Sequence, residues 1–361
     1  MEVLKRQIKC TLRIANNEVT QNYKPERTQA RKERSIGIKG DDISKEIKRN
    51  LILITASCLI VGVVQNKVGA NSIAMPMNSR HTKETEKSNG GVSRSGYEYG
   101  EKAEGAKEGT NNLDIYECTD AKTQTCSTLV YIHGGGLIGG DKRNIGEMPK
   151  TMDASNFCLV SVNYPVYGEP KKGLIAQQMR AIESASTWLE KNMNKISPKC
   201  TMNNAGIMGH SAGAYLVSLL LTKPTYKDTS NIYRTFILND SNWYTGKFGR
   251  YTEAIKTIFE NKEYGQYKVD KIRRLWVPSQ LVMESCPRRR SKTNILIMYS
   301  KKRAERNKNE IRLFGKQLQR CGSLNVSMSS HKYTHRGMIR RIGDKNSSAA
   351  RAVIGILQKS N

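Results

Sequence analysis

Residues 209–213 read Gly-His-Ser-Ala-Gly and follow the apolar run Ala205-Gly206-Ile207-Met208. A glycine on each side of a serine, between a strand and a helix, is the pattern of a sharp turn that lifts one hydroxyl clear of the backbone. The helix expected next, Ala212 to Leu221, points its amino end at that hydroxyl. A helix amino end stabilises negative charge developing beside it. Ser211 is therefore a candidate nucleophile. An ordinary strand-to-helix turn carries the same small residues, so the pentapeptide needs partners elsewhere in the chain.

A nucleophilic serine requires oxyanion donors, a base and an acid that steadies the base. Donors are offered by His133-Gly134-Gly135-Gly136, which follows the apolar stretch Leu129-Val130-Tyr131-Ile132. Amides of Gly135 and Gly136, with that of Ala212 after the serine, are the candidate oxyanion hole. Of the five histidines, His81 lies in a polar stretch, His133 in the glycine run and His210 in the elbow. His335 is left as the base, with His331 second because it sits closer to the last strand. The acid is expected after the strand Asn294 to Tyr299, where Ser300-Lys301-Lys302-Arg303-Ala304-Glu305 holds one carboxylate. Glu305 is favoured over Asp240, which ends the preceding strand.

The elements that must position these groups alternate in kind. Strands are expected at 113–117, 127–133, 157–163, 205–208, 236–238, 294–299 and 326–328. Helices are expected at 176–192, 212–221, 310–321 and 349–358. Continuous apolar strands separated by helices predict an α/β domain with a mostly parallel, doubly wound sheet and helices on both faces.

Composition bounds the rest. The chain has 361 residues and a formal net charge of +28. Such a surface attracts anions, but no zinc finger, RNA-recognition signature or Walker loop accompanies it, so nucleic-acid binding is not expected. Residues 1–50 read as a disordered basic tail. Residues 51–68 contain the uncharged run Leu51 to Val64 behind Lys48-Arg49, the layout of a signal anchor or signal peptide. Retained, it would anchor the protein in a membrane with its catalytic domain outside the cytoplasm; cleaved, it would leave a secreted protein. Residues 69–110, rich in Ser, Gly, Lys and Glu, read as a flexible linker, and residues 111–361 as the catalytic domain. Eight cysteines show no C-x-x-C spacing, and neither a metal nor a cofactor is expected. Cys118 and Cys126 are placed to close a short loop, whereas Cys158, inside an apolar strand pattern, reads as a buried thiol.

The chain resembles the α/β-hydrolase superfamily, and within it the hormone-sensitive-lipase-like and feruloyl- or acetyl-esterase-like serine esterases. The matching residues are Leu113-Asp114-Ile115-Tyr116, His133-Gly134-Gly135-Gly136, Gly140-Asp141-Lys142, Val162-Asn163-Tyr164, Ala185, Trp188, Gly209-His210-Ser211-Ala212-Gly213, His335 and Ile342-Gly343. The resemblance implies an α/β-hydrolase fold and hydrolysis of a small or short-chain ester through an acyl-enzyme. It assigns Ser211 as nucleophile, His335 as base, and Gly135, Gly136 and Ala212 as oxyanion donors. The family's usual aspartate after the penultimate strand is replaced here by Lys302-Arg303-Ala304-Glu305. That departure keeps open an inactive relative that acts as a binding protein. Trp243, Tyr244, Phe248, Tyr251, Tyr264, Tyr267 and Trp276 lie in an insert that offers a cap over the site, with core packing the alternative reading, above all for Trp276.

Overall fold

The structure is a computed structural model that describes residues 86–87, 92–119, 125–246, 274–289 and 292–360. The expected tail and the segment 51–68 lie outside the described residues. Among the described residues no helix is long and apolar enough to cross a membrane.

The apolar stretches become strands of one sheet. In chain order they are β1 (Glu86–Lys87), β2 (Ser93–Glu98), β3 (Asn112–Tyr116), β4 (Cys126–Ile132), β5 (Phe157–Val162), β6 (Cys200–His210), β7 (Thr235–Asn239), β8 (Thr293–Ser300) and β9 (Leu324–His331). Their spatial order is β1-β2-β3-β5-β4-β6-β7-β8-β9. From β5 to β9 all neighbours are parallel, while β1, β2 and β3 join antiparallel at one edge. The chain has the α/β-hydrolase fold expected from its sequence.

Helices cover both faces because successive strand residues alternate between two cores. Val130 and Ile132 of β4 and Ile295 and Ile297 of β8 pack on one face. That face carries α2 (Leu174–Ile196), α3 (Ala212–Thr222), α5 (Pro278–Glu284) and α6 (Glu305–Gln319). Leu129 and Tyr131 of β4 and Leu296 and Met298 of β8 pack on the other. There they meet α1 (Met148–Asp153) and α8 (Ser348–Gln358). The short α4 (Lys227–Ser230) precedes β7, and α7 (His335–Arg340) follows β9.

Two expectations are corrected. The linker does not run to residue 110: Ser93–Glu98 pairs with β3, placing Tyr97 opposite Leu113. Tyr97 is buried against Trp188, and the Tyr99 hydroxyl donates to the Asn163 carbonyl at 2.7 Å. This strand lies second from the sheet's edge and is only half-buried along most of its length, so it needs few apolar residues and its Ser and Gly content concealed it. Cys158 is not a free thiol. It is bonded to Cys200 and ties β5 to the start of β6. Cys118–Cys126 and Cys286–Cys321 are also disulfides.

Candidate active site

The carboxyl ends of β4, β6, β7 and β8 meet at one edge of the sheet, where loops can hold reactive groups over a rigid base. The elbow sits at the end of β6. Ser211 has φ 57° and ψ −119°, a conformation that costs a side-chain-bearing residue about 1–3 kcal/mol. Its flanking glycines are required by contact. A Cβ on Gly209 would stand 2.2 Å from the Gly213 carbonyl oxygen, and one on Gly213 would stand 2.2 Å from that of Ile132. The Ser211 amide donates to Asn239 of β7 at 2.9 Å, which fixes the turn to the neighbouring strand.

The glycine run leaves β4 beside this elbow. A Cβ on Gly135, at φ 134°, would lie 1.9 Å from the Gly139 carbonyl oxygen, so the loop folds back on itself only with glycine there. Its far end is held by groups that the sequence reading did not assign. Lys142 Nζ donates to the buried carboxylate of Asp114 at 2.6 Å. The Lys142 amide donates to Asn163 Oδ1 at 2.6 Å, and Ser161 Oγ donates to the Lys142 carbonyl at 2.7 Å. These contacts give the Asp114, Lys142 and Asn163 of the family-like motifs a common purpose: they anchor the loop to β3 and β5. Gly135, Gly136 and Ser211 line the same cavity, of about 1020 Å³. Ala212 begins α3 directly after the serine.

His335 starts α7, capped by the Thr334 hydroxyl, which accepts from the Gly337 amide at 3.1 Å. His335 Nε2 lies 3.0 Å from Ser211 Oγ, and Nδ1 lies 2.6 Å from Asp240 Oδ2. With Nδ1–H donating to the carboxylate, the Nε2 lone pair faces the serine hydroxyl. Asp240 follows β7 directly at φ 57° and is fully buried. Burial alone would push its carboxyl up. The hydrogen bond from His335, the Arg303 guanidinium and the Ser300 amide outweigh this and hold it below the ordinary carboxylate value.

The structure separates the two acid candidates and reverses their order. Glu305 is not at the imidazole. It opens α6 with a side chain 60% exposed, pairs with Lys308 and Arg312, and is held low by those two bonds. Position explains this: an acidic residue in a helix's first turn is favoured by the helix dipole without any partner in a site. Arg303 occupies the place after β8 where the acid was expected. Its Nε donates to Asp240 Oδ1 at 2.7 Å and its Nη2 to the Asp240 carbonyl at 2.6 Å, with Nη2 2.9 Å from His335 Nδ1. The carboxylate therefore comes from the strand before, and an arginine spans the gap.

The remaining histidines have other partners. His331 ends β9 between the hydroxyls of Ser329 and Ser348, at 3.0 and 2.8 Å. His210 stacks on His335 with ring centroids 4.7 Å apart, and its Nε2–H donates to the His335 carbonyl at 3.0 Å. His133 stacks on Tyr164. Burial depresses both His210 and His133 to about 4, so both are neutral supports around the site. Of the insert aromatics, Trp243 lines the cavity. Tyr244 stacks on Phe314 in the core, and Trp276 is buried beneath Lys223. Phe248, Tyr251, Tyr264 and Tyr267 lie outside the described residues. Among the described residues no cluster of metal-ligating side chains occurs.

With this geometry in place, the comparisons decide the family. The BD-FAE family model matches residues 113–336, which hold the glycine loop, the elbow, Asp240 and His335. The chain belongs to the BD-FAE family. No curated protein matches it. Solved structures share the fold of this BD-FAE member at low identity. Esterase B from Lactobacillus rhamnosis, inhibited by a C4-C4 SN3 tributyrin phosphonate, is 11% identical with a TM-score of 0.56, covering 90% of this chain and 96% of that one. Esterase 2 of Thermogutta terrifontis, phosphoramylated by tabun, is 14% identical with a TM-score of 0.50, covering 74% and 92%. An esterase from the archaeon Pyrobaculum calidifontis is 16% identical with a TM-score of 0.50, covering 69% and 80%.

Proposed function

We propose that this BD-FAE member is a serine carboxylic-ester hydrolase that works on a small or short-chain ester through an acyl-enzyme. The observation that carries this reading is the continuous hydrogen-bonded line from Ser211 Oγ to His335 Nε2 and from His335 Nδ1 to Asp240 Oδ2. His335 accepts the hydroxyl proton as Ser211 Oγ attacks the ester carbonyl, and Asp240 stabilises the imidazolium that forms. The oxyanion rests on the amides of Gly135, Gly136 and Ala212. His335 then gives its proton to the departing alkoxide. Water, deprotonated by the same imidazole, attacks the acyl-Ser211 carbonyl and releases the acid.

Catalysis, rather than binding alone, is favoured by the strained Ser211 and the ionised, fully buried Asp240. Both are costly to keep. The test is hydrolysis of short-chain nitrophenyl esters by the full chain and its Ser211→Ala variant. The variant should lose on the order of 10⁵-fold or more in kcat, and a fluorophosphonate probe should label Ser211. No turnover and no labelling in the unaltered protein would return the reading to a ligand-binding relative.

A further inference from the structure

The cavity above Ser211 is lined by four arginines, Arg143, Arg303, Arg336 and Arg340, and among the described residues by no carboxylate. Two of the four are already neutralised. Arg143 Nε donates to Asp141 at 2.8 Å, and Arg303 is bound to Asp240. Arg336 and Arg340 have no carboxylate partner among the described residues. The contrast with the next residue is direct: Arg341 pairs with Asp344 and lies over the Tyr333 ring, outside the cavity.

Arg336 and Arg340 stand four residues apart on α7, hence on one face of that helix, and both are exposed to the cavity. Like charges at this spacing repel and weaken a helix. The same helix has no acidic residue in its first turn to offset them. A concave site concentrates the field of such charges and draws anions to it. The guanidinium fork matches a carboxylate in two parallel hydrogen bonds. Arg336, His335 and Ser211 line one cavity, which puts an anion held at Arg336 in the space a molecule reacting at Ser211 occupies.

We infer that Arg336 and Arg340 form a specificity site for a carboxylate carried by the ester substrate. This rests on the serine-hydrolase reading and narrows its substrate class to esters of an acid or an alcohol bearing a second, anionic group. The carboxylate itself takes no part in the chemistry. It orients the ester so that the carbonyl meets Ser211. Ile145, Ile339 and Trp243 in the same lining supply apolar contact for the uncharged part.

Two substrate pairs distinguish where the anion sits. The first is mono-4-nitrophenyl succinate against 4-nitrophenyl butyrate, with the charge on the acyl side. The second is 4-acetoxybenzoate against its methyl ester, with the charge on the alcohol side. Each kcat/KM is divided by the rate with hydroxide to remove intrinsic reactivity. The full chain should favour the anionic member of at least one pair by about 10-fold, and added salt should erode that preference. In Arg336→Gln/Arg340→Gln the ratio should fall towards one, mainly through KM. Arg336→Lys/Arg340→Lys should keep part of it. Lys191→Gln, on an exposed turn of α2 outside the cavity, should leave the ratio as it is. Hydrolysis of the neutral esters with no preference in either pair overturns this inference and leaves the hydrolase reading standing, as does a preference that survives the double glutamine variant. If none of the four esters is hydrolysed and the fluorophosphonate probe leaves Ser211 unlabelled, the hydrolase reading fails and the inference with it.

Discussion

Ser211 is placed by its own neighbours in sequence, whereas His335 and Asp240, the proposed base and acid, come together from distant parts of the chain. Gly209, His210, Ala212 and Gly213 make the elbow, and one hydrogen bond to Asn239 fixes it. Asp240 and His335 are 95 residues apart, just after β7 and after β9, and Arg303 from the loop after β8 donates to Asp240 beside the imidazole. On the nucleophile side the position is set by sterics: no Cβ fits at Gly209, Gly213 or Gly135. On the acid–base side it is set by charge, with a fully buried carboxylate bonded to an imidazole, a guanidinium and an amide. Sterically forced geometry is rigid and tolerates no substitution. Geometry held by charge depends on protonation and on every partner being present.

The comparison breaks most visibly at the acid. Asp240→Asn leaves the packing intact but removes the negative charge that fixes the imidazole tautomer, so kcat for ester hydrolysis should fall about 10⁴-fold. Glu305→Gln, at an exposed helix start, should stay within about two-fold. Comparable losses in the two variants, measured on one nitrophenyl ester, would put the acid back on α6 and undo the assignment made from the 2.6 Å contact.

What the chain alone makes legible follows from whether a feature is local. The elbow and glycine loop are local, so spacing and residue type carry them, and the expected strands and helices lie within a few residues of those observed. The acid is not local. A parallel sheet sets β7 and β8 side by side, so the ends of two strands reach one imidazole, and the choice between their carboxylates depends on register across the sheet. Glu305 follows the expected strand, but the chain turns into α6 there and carries it away. The signal for Asp240 was its position immediately after the buried β7, level with Ser211 across the sheet, since Asn239 pairs with His210. Arg303 stands where the resemblance led an acid to be expected, and it binds Asp240 instead. The Cys158 bond is hidden from sequence for a related reason: its partner Cys200 becomes adjacent only when β5, β4 and β6 assemble.

Stability should also differ between a bridge that fixes the sheet and one that closes a loop. Cys158–Cys200 spans 42 residues and joins two strands of the nucleophile half, whereas Cys118–Cys126 spans 8. Chain-entropy reasoning gives the first about 4 kcal/mol and the second about 2.5 kcal/mol. Urea unfolding of Cys158→Ala/Cys200→Ala should therefore show the larger loss. Equal losses in the two double variants would mean that the long bridge adds no constraint to the β5–β6 side.

Acid separates the two sides by the pH at which each gives way. His133 and His210 support the nucleophile side as neutral rings, depressed by burial to about 4. In the unfolded chain they protonate near 6.5. As pH falls from about 6.5 to about 4, the unfolded state binds protons that the folded state refuses. Stability therefore declines through that window, by about 3 kcal/mol for each ring. Asp240 behaves in the lower window. Its folded value lies below the ordinary carboxylate value, so its contribution is complete above that ordinary value and is lost as pH drops through the folded one. Urea unfolding at pH 7.5 and 4.5 reads the upper window alone. His210→Asn should lose less stability between these two pH values than the unaltered chain, because one refused proton is gone. Asp240→Asn, although less stable throughout, should show the full decline. If Asp240→Asn abolishes the decline and His210→Asn preserves it, the groups that govern acid sensitivity sit on the opposite side from the one assigned here.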